Sequence, residues 1–152
     1  MIFNLSNLDI NRAQQSDVGR LALLLLELDK IHNESAPERF PLHSLETRKE
    51  DLKKILDCGY IFYAQNGSEV VAFASLLNKE NALVLEHLFV KPEYRLQSIA
   101  TTLIKNIFEE FSDREIFTTA YAFNSQAIKF YSNFFELSSL VFKKNQKMGS
   151  LK

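Results

Sequence analysis

The spacing of the apolar residues changes along the chain, and each change predicts a helix or a strand. Leucine occupies nearly every side of residues 18–31, and apolar residues recur every four positions from Ile99 to Phe111, so both segments are predicted to be helices. Short β-branched and aromatic runs bounded by turn residues are typical of strands. The predicted elements are a strand at 8–13, a helix at 18–31, a helix from Thr47 to Gly59, strands at 60–64, 70–77 and 83–90, a helix at 99–111, a strand at 116–122, a helix at 125–134 and a strand at 138–143.

The order of these elements, β-α-α-β-β-β-α-β-α-β, predicts a single α/β (α+β) domain. Residues 65–69, which contain the pair Asn66-Gly67, are expected to turn the chain between two antiparallel strands. The strand, helix and strand of residues 83–122 predict a right-handed crossover, and therefore a parallel pair inside a mostly antiparallel sheet. The domain is predicted to cover residues 1–144, and a polar tail to follow at residues 145–152.

Length, charge and cysteine content exclude several classes of protein. A chain of 152 residues with 46% hydrophobic residues can bury one core, which fits one globular domain. The net charge of −1 gives no general attraction to nucleic acid or to an anionic membrane, and no apolar run suits a signal peptide or a membrane span. Cys58 is the only cysteine, which excludes an intrachain disulfide and fits the reducing cytoplasm. His32, His43 and His87 have no metal-ligand spacing, so no metal is expected.

The segment from Glu86 to Phe111 has the features of an anion-binding site. An apolar strand ending at Val90 leads through a turn that carries Arg95 directly into a helix. The backbone N–H groups at the start of this helix, residues 96–100, lack intrahelical partners and lie at the positive end of the helix dipole. A phosphate group fits such a place, and the guanidinium of Arg95 adds a full positive charge beside it. The plainer interpretation is that Pro92 ends a strand and that the helix start holds no ligand.

Two motifs in and after this segment resemble those of a known family. The sequence HLFVKPEYRLQSIATTLIKNI resembles the acyl-CoA-binding motif of the GNAT superfamily of N-acyltransferases, whose core reads (Gln/Arg)-x-x-Gly-x-(Gly/Ala). Arg95 and Ala100 match that core, and Ser98 stands where the family usually has glycine. The sequence NSQAIKFY, from Asn124 to Tyr131, is similar to the family's N-x-x-A-x-x-x-Y segment. The motifs follow one another in the family's order, and their combination is more specific than either alone.

The resemblance implies a fold, an acyl donor and a set of donor-binding residues. A GNAT-like protein has a mixed, mostly antiparallel sheet of six to seven strands flanked by four helices. It would move an acetyl group from acetyl-CoA to a primary amine of a small molecule or peptide by direct transfer in a ternary complex, and the family often forms homodimers. The pantetheine arm would pair with the strand backbone, and the pyrophosphate would lie on the helix start. The implied donor-binding residues are Leu88, Phe89, Val90, Arg95, Leu96, Gln97, Ser98, Ile99, Ala100, Thr101 and Asn124.

Ser98 leaves two interpretations open. If its position needs a positive φ or a close approach to phosphate, the Cβ atom costs about 1 kcal/mol or more. If the position is an ordinary first turn of the helix, serine keeps its N–H group and adds a hydroxyl donor. A degenerate GNAT-fold protein that binds acyl-CoA as a sensor or regulatory module is therefore the alternative to an enzyme.

The last predicted helix carries a candidate for the general acid. The resemblance points to Tyr131, because its counterpart in the family lies beside the sulfur of the donor. A phenol is protonated at neutral pH and can supply a proton to the departing thiolate. Tyr131 also shares a helical face with Ala127 and Phe134, so a structural role in the core is the alternative. Asn124 is predicted to cap this helix and, by resemblance, to contact the pantetheine arm.

Glu86 is the candidate base. It interrupts an apolar strand, which is costly unless its carboxylate reaches water or a partner. Its counterparts in the family often take the amine proton, directly or through water, and a sheet-end charge paired to a lysine or arginine is the alternative. In a regular strand His87 would point to the opposite face, which favours a core or rim position, but a bulge here would reverse this assignment.

Overall fold

The computed structural model describes residues 7–145, which fall into two compact units that meet in the sequence between Thr119 and Ala120. The first unit contains a five-stranded sheet with three α-helices, and the second contains one short α-helix. Within these residues, no helix has the length and apolar character needed to cross a membrane. The elements are β1 Leu8–Arg12, α1 Val18–Ser35, α2 Leu45–Cys58, β2 Gly59–Asn66, β3 Glu69–Lys79, β4 Ala82–Val90, α3 Ile99–Glu110, β5 Glu115–Thr118 and α4 Ser125–Tyr131.

The sheet is mixed and mostly antiparallel, as predicted. Its strands lie in the order β1-β2-β3-β4-β5, and only β4 and β5 run parallel, with Leu83 opposite Ile116. The crossover through α3 explains this parallel pair, since it returns the chain to the same end of the sheet. Between β2 and β3 the predicted hairpin turn is present, and Gly67 takes the positive φ of 63° that such a turn requires.

Helices cover both faces of the sheet. Phe73 and Phe89 belong to a buried cluster on the face that carries α1 and α2, together with Leu21, Leu25 and Leu52. The opposite face packs against α3, whose buried positions are Ile99, Leu103, Ile104 and Ile107. At the end of that helix the ring of Phe111 lies 6.0 Å from Phe62 and 4.8 Å from Tyr60, so the aromatic side chains close the core there.

The first two helices differ from the prediction at their ends. α1 continues to Ser35, beyond the predicted end at residue 31. α2 begins at Leu45 instead of near Thr47, because the side chain of Ser44 caps it by accepting a hydrogen bond from the Thr47 amide at 3.1 Å. Gly59 follows the last helical residue, Cys58, and so closes the helix as predicted, but it does so as the C-cap and first residue of β2, with an extended φ of −171°.

The prediction of six to seven strands is not confirmed. β5 ends at Thr118 and not at residue 122, and residues 138–143 contain no strand, so the sheet of the described chain has five strands. A strand needs a hydrogen-bonding neighbour as well as a suitable sequence, and the apolar residues of this segment are exposed, with Val141 at 96% and Phe142 at 87%. Residues 146–152 of the predicted tail lie outside the described residues, and the single-domain boundary at residue 144 stays a prediction.

Gly59 is expected to be essential for stability because of a contact with β3. A Cβ atom at this position would lie 1.9 Å from the backbone oxygen of Leu76, so the two strands would have to move apart. Gly59→Ala should lower the free energy of unfolding by about 2–3 kcal/mol, as overpacking of a core does. Gly19→Ala is the matched control, because Gly19 is an exposed helical residue with nothing within 4 Å of its Cβ position, and it should gain about 0.5–1 kcal/mol. Urea denaturation measures both variants, and an equal change in the free energy of unfolding for Gly59→Ala and Gly19→Ala would contradict this explanation.

Candidate functional site

A buried tyrosine fixes the turn between β4 and α3. After Val90 the chain forms a short 3-10 turn, Pro92–Tyr94, and Tyr94 is only 3% exposed. Its hydroxyl donates a hydrogen bond to Glu69 Oε2 at 2.8 Å, and Lys91 Nζ lies 3.3 Å from Glu69 Oε1. The hydrogen bond from Tyr94, with help from Lys91, lowers the pKa of Glu69. The turn is thereby tied to the first residue of β3.

The loop that follows the turn has a left-handed backbone at two residues without glycine. Leu96 and Ser98 both have a φ of 63°, a conformation that is costly for residues with a Cβ atom. Ser98 is the N-cap residue of α3, and its carbonyl oxygen accepts hydrogen bonds from the Thr102 amide at 3.0 Å and the Thr102 hydroxyl at 2.9 Å. Of the two interpretations of Ser98, the structure therefore has the one that needs a positive φ.

Six successive backbone amides at this helix start have no acceptor in the described part of the chain. Within residues 7–145, the N–H groups of residues 96–101 donate no hydrogen bond. They lie at the positive end of the α3 dipole, where an anion is favoured. The side-chain oxygen of Gln97 is also buried and has no hydrogen-bond partner in the described chain, but as an acceptor it does not favour an anion. Backbone amides at a helix start can bind a phosphate group, and the pyrophosphate site predicted for these residues stays a prediction.

Arg95 lies between this helix start and the end of β4. Its side chain is exposed, its Nε donates a hydrogen bond to the Val90 carbonyl at 3.1 Å, and its guanidinium lies 5.9 Å from the centre of the Phe89 ring. Arg95 therefore brings a positive charge to the place where the predicted pantetheine and pyrophosphate sites meet. The side chains of Phe89 and Ile99 are buried, at 3% and 2% exposure, so these two residues can offer a ligand only their backbone.

The backbone of β4 is open along part of one edge. Its pairing with β5 ends at Leu85 and Thr118, and no strand of the described chain pairs with residues 86–90 on that side. Leu88 and Val90 lie in this open segment, which starts where β5 stops and ends at the turn toward α3. An extended ligand could therefore add to the sheet here as a strand does.

Glu86 and His87 sit at a β-bulge that decides where each side chain lies. Leu76 pairs with Leu85, whereas Ser75 pairs with His87, so Glu86 is an extra residue in β4. Glu86 is exposed and, within the described chain, has no hydrogen bond or ion pair, so the alternative of a charge paired to lysine or arginine is not seen there; its role as a base stays a prediction. The bulge places His87 beside Ser75, on the face that carries α1 and α2, with its ring 6.1 Å from that of Phe73.

The second unit carries the other two predicted site residues. Asn124 caps α4 as predicted, since its Oδ1 accepts a hydrogen bond from the Ala127 amide at 3.1 Å. Tyr131 is half-buried at the end of α4, with its ring centre 5.6 Å from that of Phe130 and 5.7 Å from that of Phe135. The predicted roles of Asn124 and Tyr131 toward the donor stay predictions.

A comparison with known families decides the relationship of the chain. The model of the acetyltransferase (GNAT) family matches residues 25–135, which is most of the chain. The chain belongs to the GNAT acetyltransferase family. No curated protein matches this GNAT chain in a sequence search.

Solved structures of acetyltransferases share the fold of this GNAT protein. The aminoglycoside N-acetyltransferase AAC(6')-Iy in complex with CoA has a TM-score of 0.70 and 18% identity, over 96% of this chain and 99% of that chain. An aminoglycoside acetyltransferase from an uncultured soil metagenomic sample, in complex with sisomicin, has a TM-score of 0.70 and 18% identity over 93% and 99%. The ribosomal-protein-alanine N-acetyltransferase of Brucella melitensis has a TM-score of 0.69 and 19% identity over 90% and 99%. At these identities the likeness establishes the fold.

The GNAT chain also has a polar cluster that the sequence analysis missed. Asp29 is 6% exposed in α1, and Arg48 in α2 binds both of its carboxylate oxygens and also Asp51. Ser75 in β3 is fully buried, and its Oγ lies 2.7 Å from His87 Nδ1. A polar residue inside an apolar run was the available signal for Ser75, as it was for Glu86, whereas Asp29 stands between Glu27 and Lys30 and had no such signal. Among the residues described, no group of histidine, cysteine and acidic side chains could hold a metal ion.

Replacing Ser98 by glycine should stabilise this GNAT chain. The left-handed φ of 63° costs serine energy that glycine does not pay, so Ser98→Gly should raise the free energy of unfolding by about 0.5–1 kcal/mol in urea denaturation. Ser98→Ala keeps the Cβ atom and should give no gain. Destabilisation by Ser98→Gly would show that the serine hydroxyl outweighs the backbone strain.

Proposed function

We propose that the protein is an N-acetyltransferase that moves an acetyl group from acetyl-CoA to a primary amine of a small molecule or peptide, by direct transfer in a ternary complex. The observation that carries this proposal is one stretch of chain whose backbone groups have free hydrogen-bonding capacity among the described residues. The open edge of β4 at residues 86–90 leads through one turn to the free amides of residues 96–101. An extended arm followed by a pyrophosphate has the shape and charge that such a surface accepts.

The donor would use these groups in order along its length. The pantetheine arm pairs with the backbone of Leu88, Phe89 and Val90 and with the side chain of Asn124. The pyrophosphate lies on the amides of residues 96–101, and Arg95 turns from the Val90 carbonyl to the phosphate oxygens, where a charged donor makes stronger hydrogen bonds. The related structure of AAC(6')-Iy in complex with CoA supports this choice of donor.

The acetyl transfer needs an oxyanion donor and two proton transfers. The amine nitrogen attacks the thioester carbon, and a backbone N–H of residues 88–90 stabilises the oxygen that becomes negative. The C–S bond then breaks, and Tyr131 gives its phenolic proton to the departing thiolate. Glu86 is exposed to water, so it can receive the amine proton through a water molecule.

For the acceptor we propose only a chemical class, a primary amine. The fold is shared with an enzyme named for aminoglycosides and with one named for the alanine of a ribosomal protein. Aminoglycosides are small molecules with several amines, and the second name points to an amine of a polypeptide. We place the protein in the cytoplasm because acetyl-CoA is found there and because its single cysteine, Cys58, is free and exposed.

A CoA-release assay tests this function. The purified chain is incubated with acetyl-CoA and a panel of amines that includes an aminoglycoside, a linear polyamine and a peptide with N-terminal alanine. We expect amine-dependent release of CoA with at least one member, and formation of the acetylated amine by mass spectrometry. Tight donor binding without turnover on the whole panel would favour the acyl-CoA sensor instead.

Tyr131→Phe should separate catalysis from donor binding. The variant keeps the ring that packs on Phe130 and Phe135 but loses the proton for the thiolate, so kcat should fall by about 100-fold while the Kd for acetyl-CoA stays the same. Tyr121→Phe removes a phenol from the same unit and serves as the control with wild-type kcat. An unchanged kcat in Tyr131→Phe would show that another group protonates the thiolate.

A further inference from the structure

The β-bulge in β4 brings a histidine to the face of the sheet on which α1 and α2 pack. Without the extra residue Glu86, His87 would lie on the same face as Leu85. With it, His87 lies opposite Ser75, and both share the face of Phe73 and Phe89. The bulge therefore moves a titratable ring away from the α3 side and onto the other side of the strand.

Ser75 holds the imidazole through one of its two nitrogen atoms. The serine is fully buried, and its Oγ lies 2.7 Å from His87 Nδ1, which is a short and well-placed hydrogen bond. Within residues 7–145, His87 Nε2 makes no hydrogen bond. If Nδ1 carries the proton and donates it to Ser75 Oγ, the lone pair of Nε2 is left free to accept another proton.

The surroundings of His87 favour the neutral ring. Burial is the largest influence and lowers its pKa below the ordinary value of 6.5. The charged groups that act on it come from three elements: Glu86 on β4 and Asp29 on α1 act to raise the pKa, while Arg48 on α2 and His32 on α1 act to lower it. Because Arg48 binds Asp29 directly, the charges of this pair largely cancel at His87.

The position of His87 also suits a proton acceptor for acetyl transfer. His87 lies just beyond Leu85, where the pairing of β4 with β5 ends. The next residue, Leu88, is the first whose backbone is proposed to bind the donor. The side chain of His87 is half-buried, so it keeps some access to solvent, whereas the carboxylate of Glu86 is exposed. An imidazole whose Nε2 lone pair is free can accept a proton directly from the amine, whereas the exposed carboxylate of Glu86 would receive it through water.

We propose that His87 is the group that takes the proton from the acceptor amine, through Nε2, while Ser75 positions the ring by accepting a hydrogen bond from Nδ1–H. The proposal rests on the N-acetyltransferase function. As the C–N bond forms, the nitrogen proton moves to Nε2, and the imidazolium passes it to solvent, with the exposed Glu86 beside it as the next acceptor. The thiolate proton comes separately from Tyr131, whose phenolate then regains a proton from solvent. The net change is one proton lost by the amine nitrogen and one gained by the thiolate.

The pH dependence of kcat tests this role in the full chain. At saturating acetyl-CoA and amine, the wild-type kcat should fall as the pH drops through a pKa below 6.5, since the imidazolium cannot accept a proton. His87→Asn should lower kcat by about 100-fold and remove this acid limb, because the amide still fits beside Ser75 but accepts no proton. Glu86→Gln should lower kcat by less than about 10-fold and keep the limb, as a group that acts after the first transfer would.

Three controls separate a chemical role from a structural one. Calorimetry should show the wild-type Kd for acetyl-CoA in His87→Asn, which demonstrates that the variant is folded. Ser75→Ala leaves the base in place but frees the ring, so it should lower kcat by about 10-fold without changing the amine KM. Nitrogen-15 NMR of the unliganded protein should find the Nδ1–H tautomer at His87.

Each other result overturns a specific part of the account. A larger loss of kcat in Glu86→Gln than in His87→Asn would make the carboxylate the base. An Nε2–H tautomer would exclude the proposed direction of the hydrogen bond with Ser75 and remove the free lone pair. No turnover by the wild-type protein on the whole amine panel would remove the enzyme function itself, and with it the role of His87.

Discussion

The free backbone amides at the start of α3 are the groups on which the rest of the candidate site depends. Six successive N–H groups, those of residues 96–101, have no acceptor in the described chain. Unpaired backbone donors are tolerated where water or a ligand reaches them, and their dipole favours an anion. The left-handed loop at Leu96 and Ser98 leads into this helix start, and Tyr94 anchors the preceding turn to Glu69 on β3. The left-handed backbone and one partly buried hydrogen bond thus shape the surface that would receive the donor.

A second constraint is the single extra residue in β4. A regular strand would put His87 on the side of α3, and the bulge at Glu86 turns it to the side of α1 and α2. The same region is where β4 and β5 stop pairing, at Leu85 and Thr118. The bulge and the end of the β4–β5 pairing therefore lie at the same place in β4. The backbone groups proposed for the donor follow along the strand, and the proposed base lies on its face.

Much of this architecture follows from local sequence. The four-residue repeat of α3 and the element order were enough to predict the parallel pair of β4 and β5, and the Asn66-Gly67 turn predicted the hairpin. Features set by distant partners were not predictable. The need for glycine at position 59 comes from Leu76 in another strand. The bulge at Glu86 exists only in the register with β3, so the sequence offered it as an alternative for His87 but could not decide it. The apolar pattern at residues 138–143 predicted a strand, but pattern alone does not supply a partner.

Calorimetric titration of the purified chain with acetyl-CoA tests the central claim most directly, because it asks whether the open edge of β4 and the amides of α3 bind this donor. Arg95→Ala is measured beside it, and Arg12→Ala, an exposed arginine on β1, is the control for loss of charge. The account predicts micromolar binding that weakens by about 10-fold or more in Arg95→Ala, as loss of a charge-assisted phosphate contact does, and is unchanged in Arg12→Ala. Absence of binding at millimolar acetyl-CoA would contradict it.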